Sequence, residues 1–226
     1  WDSKWEGEYQ ETKQKSAVLY RQEPRFELLT TGCIHQGELT FLDQHVTRLR
    51  EASRYFAYPY DESKLLKELQ EELAHLDLNL DYRCRIALQK NGTFHLEITE
   101  LTDLPASYLQ AQLTEQKLDL ATPFTYFKTS QRDHINQSDH EQIFHLPDGT
   151  LLETTIGNLV LEIEGQLYTP PAHLPLLDGI YRRHLLETQQ VEEKLLTLND
   201  LTDADRIYAC NALRGLYELD FQRKDS

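Results

Sequence analysis

The stretch DGTLLETTIGNLVLEIEGQLYTPP, residues 148 to 171, is punctuated at its ends and in its middle. Pro147-Asp148-Gly149, Glu164-Gly165-Gln166 and Pro170-Pro171 are turn signals, because Gly accepts backbone angles other residues resist and Pro cannot continue a central strand. Between them lie apolar runs of strand length, Leu151-Leu152 and Leu159 to Ile163, and Ile207 to Cys210 supplies another. A helix is expected to begin near Gly179 and run through His184 to Glu187. This half of the chain reads as strands mixed with helix.

The upstream half reads as α+β. An apolar, strand-like run from Ser16 to Thr31 is broken by Pro24. Asp43 offers an N-cap to a helix carrying Val46, Leu49 and Phe56, and Asp61 or Ser63 caps a second with Leu65, Leu66, Leu69 and Leu73 on one face. Arg83 to Gln89 and Phe94 to Ile98 flank Asn91-Gly92, a strong hairpin signal. Leu104-Pro105-Ala106 then marks a boundary. We expect an N-terminal α+β lobe over 1–104 and a C-terminal α/β lobe over 105–226, packed together because no Gly/Ser linker separates them.

Composition narrows the function. Twenty-three Lys plus Arg against 38 Asp plus Glu give a net charge of −15 over 226 residues, with pI near 5.0 and mean hydropathy −0.60. That balance opposes the attraction to phosphate backbones that nucleic-acid binding needs, so no nucleic-acid partner is expected. No window holds the ~18 consecutive apolar residues of a membrane span, and the polar start lacks a secretory core; no membrane partner and a cytoplasmic location are expected. Cys33, Cys84 and Cys210 are far apart and odd in number, which indicates reduced thiols rather than a disulfide framework or a zinc knuckle.

Candidate chemistry is sparse. His134, His140 and His145, with Asp133, Asp139 and Glu141, form the densest cluster of metal-ligand types, but their gaps do not place ligands one helical turn apart, so no metal is expected. Two sequons, Asn91-Gly92-Thr93 and Asn136-Gln137-Ser138, carry little weight without a secretory signal. P-loop, GxGxxG and GxSxG patterns are absent. Lys128 follows Pro123-Phe124-Thr125-Tyr126-Phe127, where burial would favour a neutral amine able to act as nucleophile or base; a lysine extending its ammonium to solvent has the same signature. Asp178-Gly179-Ile180-Tyr181 opens a helix whose free N–H groups suit an anion.

Taken in order, the run from Phe26 to Phe56, FKTSQR (127–132), DGTLLETTIGNLVLEIEGQLYTPP (148–171), LPLLDGIYRRHLLE (174–187) and CNALRG (210–215) resembles the class IV pyridoxal-phosphate (PLP) enzymes. The match spans roughly residues 17 to 220. It implies the two-lobed α/β (α+β) fold of that class, with PLP between the lobes and a homodimer. By the resemblance, Lys128 forms the Schiff base with PLP, Glu153 pairs with the pyridine nitrogen, and Arg48 and the Gly179-Ile180-Tyr181 loop hold the phosphate. Thr154, Thr155 and Asn158 are further cofactor candidates, with a turn role as the alternative for these three.

Three positions depart from the family pattern. Asp133, His134 and Ile135 stand where many relatives carry a cofactor-binding tyrosine, Ala212 stands where a serine is usual, and Phe26-Glu27-Leu28-Leu29-Thr30-Thr31 replaces a Phe-Glu-Leu-Leu-Glu-Thr run. Within the class, ETTIGNLV, LLDGIYRR and CNALRG are most similar to aminodeoxychorismate lyases. That likeness implies cleavage of 4-amino-4-deoxychorismate to 4-aminobenzoate and pyruvate, a step of folate biosynthesis, with Lys128 or Thr31 returning a proton. The substrate's carboxylates call for cations, and Arg132, Arg182, Arg183 and Arg214 are the candidates. The alternatives are an aminotransferase of branched-chain or D-amino acids, and a PLP-binding relative without turnover.

Overall fold

A computed structural model describes residues 26–115, 122–131 and 140–221. The first sheet has the order β2-β1-β3-β4, built from β1 (Leu28–His35), β2 (Glu38–Leu39), β3 (Tyr82–Leu88) and β4 (Phe94–Glu100). All its ladders are antiparallel, and β1 lies against β3 with Thr31 opposite Arg85 and Cys33 opposite Arg83. The β3–β4 hairpin closes at Asn91-Gly92 as expected. Gly92 sits at φ +82°, and Cβ there would meet Pro59, so glycine is required twice over.

Side chains alternate across a strand, so one face of this sheet carries Leu28, Ile34, Cys84, Ile86 and Leu88. They are buried against Leu49 of α1 (Leu42–Phe56) and Leu65 and Leu69 of α2 (Glu62–Leu73). Burial of each of these leucines contributes about 1.5–3 kcal/mol. The opposite face carries Thr31, Cys33, Arg83 and Arg85.

Both helices refine the sequence reading. Asp61 caps α2, its carboxylate accepting the Lys64 N–H at 3.1 Å. Asp43 does not cap α1: Phe41 holds the N-cap position in the left-handed region, and Asp43 lies inside the first turn. The reason is tertiary. Thr40 N–H and Oγ1 both donate to Cys33 O, at 2.9 and 3.0 Å, which fixes where the chain enters the helix. Asp43 still complements the positive end of the helix dipole. Leu66 is exposed, so the apolar stripe of α2 is Leu65 and Leu69 with Leu73 partly buried.

The second sheet has nine strands, in the order β10-β9-β8-β7-β6-β5-β13, with β11 joined to β8 and β12 to β11. Its members are β5 (Gln110–Glu115), β6 (Glu141–His145), β7 (Leu151–Thr154), β8 (Asn158–Ile163), β9 (Gln166–Thr169), β10 (Glu192–Glu193), β11 (Arg206–Asn211), β12 (Gly215–Glu218) and β13 (Asp220–Phe221). The expected runs at 151, 159 and 207 are β7, β8 and β11. The start of β8 is buried without alternation, as a strand covered on both faces requires. β5 was not legible, since its residues read as polar; parallel pairing with β6 and β13 makes it a strand. Three helices belong to this part: α3 (Ala106–Leu109), α4 (Ile180–Glu187) and α5 (Leu198–Asp203). The helix expected at Gly179 is α4.

The segment bearing Lys128 is bound to the first sheet. Leu29 N–H donates to Lys128 O at 2.8 Å, Ser130 N–H to Glu27 O at 2.9 Å, and Thr129 bridges Leu28. β1 therefore sets the position of the Lys128 backbone.

Candidate active site

The β7–β8 turn is the floor of the site. Glu153, next to last in β7, pairs with Asn158, the first residue of β8. The turn between them is held from every side. Thr154 Oγ1 donates to Gly157 O at 3.0 Å and accepts the Gly157 N–H at 3.1 Å. Thr155 Oγ1 accepts the Gln142 N–H at 2.9 Å, and the buried Glu141 accepts the Ile156 N–H at 3.0 Å. Asn211 Nδ2 donates to Ile156 O at 3.1 Å. Any Cβ on Gly157 would lie 2.8 Å from Cys210 O, so the turn can touch β11 only with glycine there.

From this floor Asn158 reaches to the start of α4. Its Nδ2 donates to Leu177 O at 2.7 Å, and its Oδ1 occupies the space a Cβ on Gly179 would need. Gly179 has an ordinary φ of −71° and no side chain with which to cap the helix. Close approach of Asn158, rather than backbone freedom, demands glycine at 179. Arg48, from α1, crosses to the same place and donates to Asp178 O at 2.9 Å.

These groups surround a cavity of about 370 Å³, within the size range of small-molecule sites. Of the residues expected from the sequence, Thr31, Arg48, Lys128, Glu153, Asn158, Gly179, Ile180 and Arg214 line it. Thr154 and Thr155 do not; their hydroxyls hold the turn. The Tyr181 ring packs instead against Phe41 and His184. Arg182 is sealed away from the cavity: it is 2% exposed, donates to Asp178 Oδ1 at 2.9 Å and Pro170 O at 2.8 Å, and pairs with Glu193. Arg183 is 3.8 Å from Asp178 Oδ2 and also lies off the cavity wall. Arg132 lies outside the described residues, as do His134, Asp133, Ile135 and Asp139. The described histidines of that cluster face backbone carbonyls, His140 that of Ser107 and His145 that of Leu146.

Arg83 lines the cavity and was missed. In sequence it is one of two arginines on the polar side of a hairpin strand, a pattern that normally means a solvated face; only the register opposite Cys33 brings it to the site. The lining thus contains four cations, Arg48, Arg83, Lys128 and Arg214, and one carboxylate, Glu153. A chain of net charge −15 has concentrated positive charge here. Cys210 also lines the cavity, but burial pushes its thiol up to about 12, which removes it as a nucleophile near neutrality. Behind β1, His45 shares a hydrogen bond with Thr30 Oγ1. Burial, then the positive charges of Arg48 and Lys128, hold its pKa down to about 3, so it stays neutral beside them.

Residues 26–219 match the sequence model of the family described as amino-transferase class IV. The chain is 37% identical over 209 residues to an aminodeoxychorismate lyase of Vibrio harveyi, covering 80% of this chain and 77% of that one. Its fold is shared by a fold IV transaminase from Curtobacterium pusillum, with TM-score 0.74 at 14% identity over 88% of this chain and 80% of the other. A hypothetical aminotransferase from Mycobacterium tuberculosis in its PLP-bound form superposes with TM-score 0.70 at 18% identity, over 87% and 81% of the two chains. The chain belongs to the class IV aminotransferase family. Enzymes of this family depend on PLP and are lyases or aminotransferases. Among the described residues, no helix is long and apolar enough to cross a membrane.

Proposed function

We propose that the protein is a PLP-dependent aminodeoxychorismate lyase, releasing 4-aminobenzoate and pyruvate from 4-amino-4-deoxychorismate. The observation that carries this reading is the convergence of Lys128, Glu153, Arg48 and Gly179 on one cavity, in a chain 37% identical to a relative of that name. When bound, PLP supplies an electron sink for cleavage of bonds beside the substrate's amino group. The residues present suit it. Arg48 and the uncapped N–H groups at the start of α4 suit a phosphate. The carboxylate of Glu153, 5% exposed, suits a protonated ring nitrogen.

In this reading Lys128 Nζ takes the ring proton whose loss makes the product aromatic. Thr31 Oγ1, on the strand that fixes the Lys128 backbone, returns a proton to the departing enolpyruvyl group. We extend the reading to a cytoplasmic homodimer serving folate biosynthesis; a sedimentation mass near 26.5 kDa, that of one chain, would remove the dimer.

The test is an absorbance titration with PLP, repeated after borohydride reduction, beside an assay for 4-aminobenzoate. The expected result is a visible band that reduction fixes to the protein, absent in Lys128→Ala, with turnover in that variant down by at least about a thousandfold. Transfer of an amino group from an amino acid to 2-oxoglutarate, with no 4-aminobenzoate formed, would replace the lyase by an aminotransferase. A PLP band with neither activity would leave a binding relative without turnover.

A further inference from the structure

Arg48 and the start of α4 come from different parts of the fold. Arg48 belongs to α1, which packs on the first sheet, whereas α4 packs through Leu185 on β8 and β11 of the second. For both to bear on one anion, α1 must be held against α4. The Arg48 bond to Asp178 O is one link, made at the end of a long side chain. Phe41 is the other. Its ring meets Tyr181 edge-on with centroids 5.9 Å apart and lies 5.1 Å from the His184 ring. Tyr181 and His184, three residues apart on one face of α4, are 5.6 Å from each other. Phe41 precedes Arg48 by seven residues, about two helical turns, so α1 is pinned to α4 at two separate points.

Phe41 holds this place at a conformational cost. Its φ of +58° and ψ of +35° lie in the left-handed region, which a bulky residue adopts only when its surroundings over-determine it. On one side Thr40 is bonded twice to Cys33 O. On the other stand the rings of Tyr181 and His184. The Tyr181 ring is itself backed by Gly215, where a Cβ would come within 3.3 Å of the phenol oxygen. Ala57, at the far end of α1, is a second left-handed residue, with φ +55°. It is exposed and about 24 Å along the helix from Phe41, so it shares the strain without the ring contact.

We propose that Phe41 is a positioning residue for the anion wall: its contact with Tyr181 and His184 holds α1 against α4 so that Arg48 and the α4 N–H groups bear on one phosphate. This rests on the reading of that wall as the phosphate site of PLP. Phe41 does not line the cavity, so it acts through Arg48 and α4. Its loss should therefore weaken binding of the phosphate and leave the rest of the cofactor's binding unchanged.

The test is a pair of fluorescence titrations, with PLP and with pyridoxal, which lacks the phosphate, beside urea unfolding. The unaltered protein should bind PLP at least about a hundredfold more tightly than pyridoxal. Phe41→Gly, which suits the left-handed turn but removes the ring, should cut PLP affinity about tenfold with pyridoxal affinity unchanged. Phe41→Tyr, which keeps the ring, should restore most of the ratio. Ala57→Gly should raise the urea midpoint and leave the ratio as it was, showing that relief of strain alone does not weaken PLP. Equal losses of PLP and pyridoxal in Phe41→Gly would make Phe41 merely structural and overturn the proposal. So would a ratio that survives Phe41→Gly, and in that case the phosphate reading stands. If Phe41→Gly fails to fold, Phe41→Leu, apolar but without the ring, decides by the same ratio. An unaltered protein that binds PLP no better than pyridoxal would remove the phosphate reading, and this proposal with it.

Discussion

Two regions near the cavity are rich in arginine, and they use it in opposite ways. At the start of α4, Arg182 is buried and spends its guanidinium on Asp178, Pro170 O and Glu193. It ties the loop before the helix to the strands behind it and presents nothing to the cavity. In the cavity lining itself, Arg83 and Arg214 have one shared carboxylate and one carbonyl as partners. The difference teaches that an arginine's partners, more than its position near a site, decide whether it builds the wall or binds the ligand. Buried with both Nη groups engaged, as in Arg182, it is structural; part-paired on a cavity surface, it is available to an anion.

The sharpest way to break this contrast is to remove the structural arginine. Arg182→Met should cost about 3 kcal/mol in denaturant unfolding, since it orphans a buried carbonyl and two ion-pair partners. The PLP affinity of the folded variant should not change, because Arg182 does not line the cavity. A variant that keeps its stability but loses PLP affinity would make Arg182 a ligand-binding residue after all.

Arg48 stands between the two cases, since one of its nitrogens is tied to Asp178 O while the side chain lines the cavity. Arg48→Gln should weaken PLP about thirtyfold, roughly 2 kcal/mol for lost charged hydrogen bonds. Fluorescence titration would read this, and an unchanged affinity would move the phosphate away from this wall.

The smallest effect concerns His45, which lies behind these cations. Its pKa falls from 6.5 to about 3 on folding, so the unfolded chain takes up the proton first. Stability from the neutral ring is complete above pH 6.5 and is lost as pH falls toward 3. Between pH 7 and 5.5 the loss should be about 1 kcal/mol. Urea unfolding at both pH values should show that much less pH dependence in His45→Asn than in the unaltered protein; equal slopes would mean that His45 is charged in the folded state.

Much of the fold was legible because its signals are local. Asn91-Gly92 closes the β3–β4 hairpin, Asp61 caps α2, and the Gly179 helix start is where the pattern put it. The misses share a cause. Asp43 has the right chemistry for a cap, yet Thr40 bonded to Cys33 O starts α1 earlier. Gln110–Glu115 has little strand pattern, and its ladder partners come from distant sequence. At the site, Lys128, Glu153, Arg48 and Gly179 could be singled out from residue type, spacing and resemblance. That Thr154 and Thr155 turn inward to hold the β7–β8 turn could not, because a threonine beside a glutamate looks the same whether its hydroxyl faces a ligand or a backbone amide.

By itself, then, the order of turn residues, caps and apolar runs determined where strands and helices form and which residues could do chemistry, because those signals act over a few residues. Tertiary structure alone decided which arginines are spent and which are available. Arg83 and Arg214 are 131 positions apart and meet through Cys33, whereas Arg182 finds Glu193 only because α4 and β10 fold together. Charge belongs to the residue, but its availability depends on partners that the chain brings from far away, and no local pattern records those.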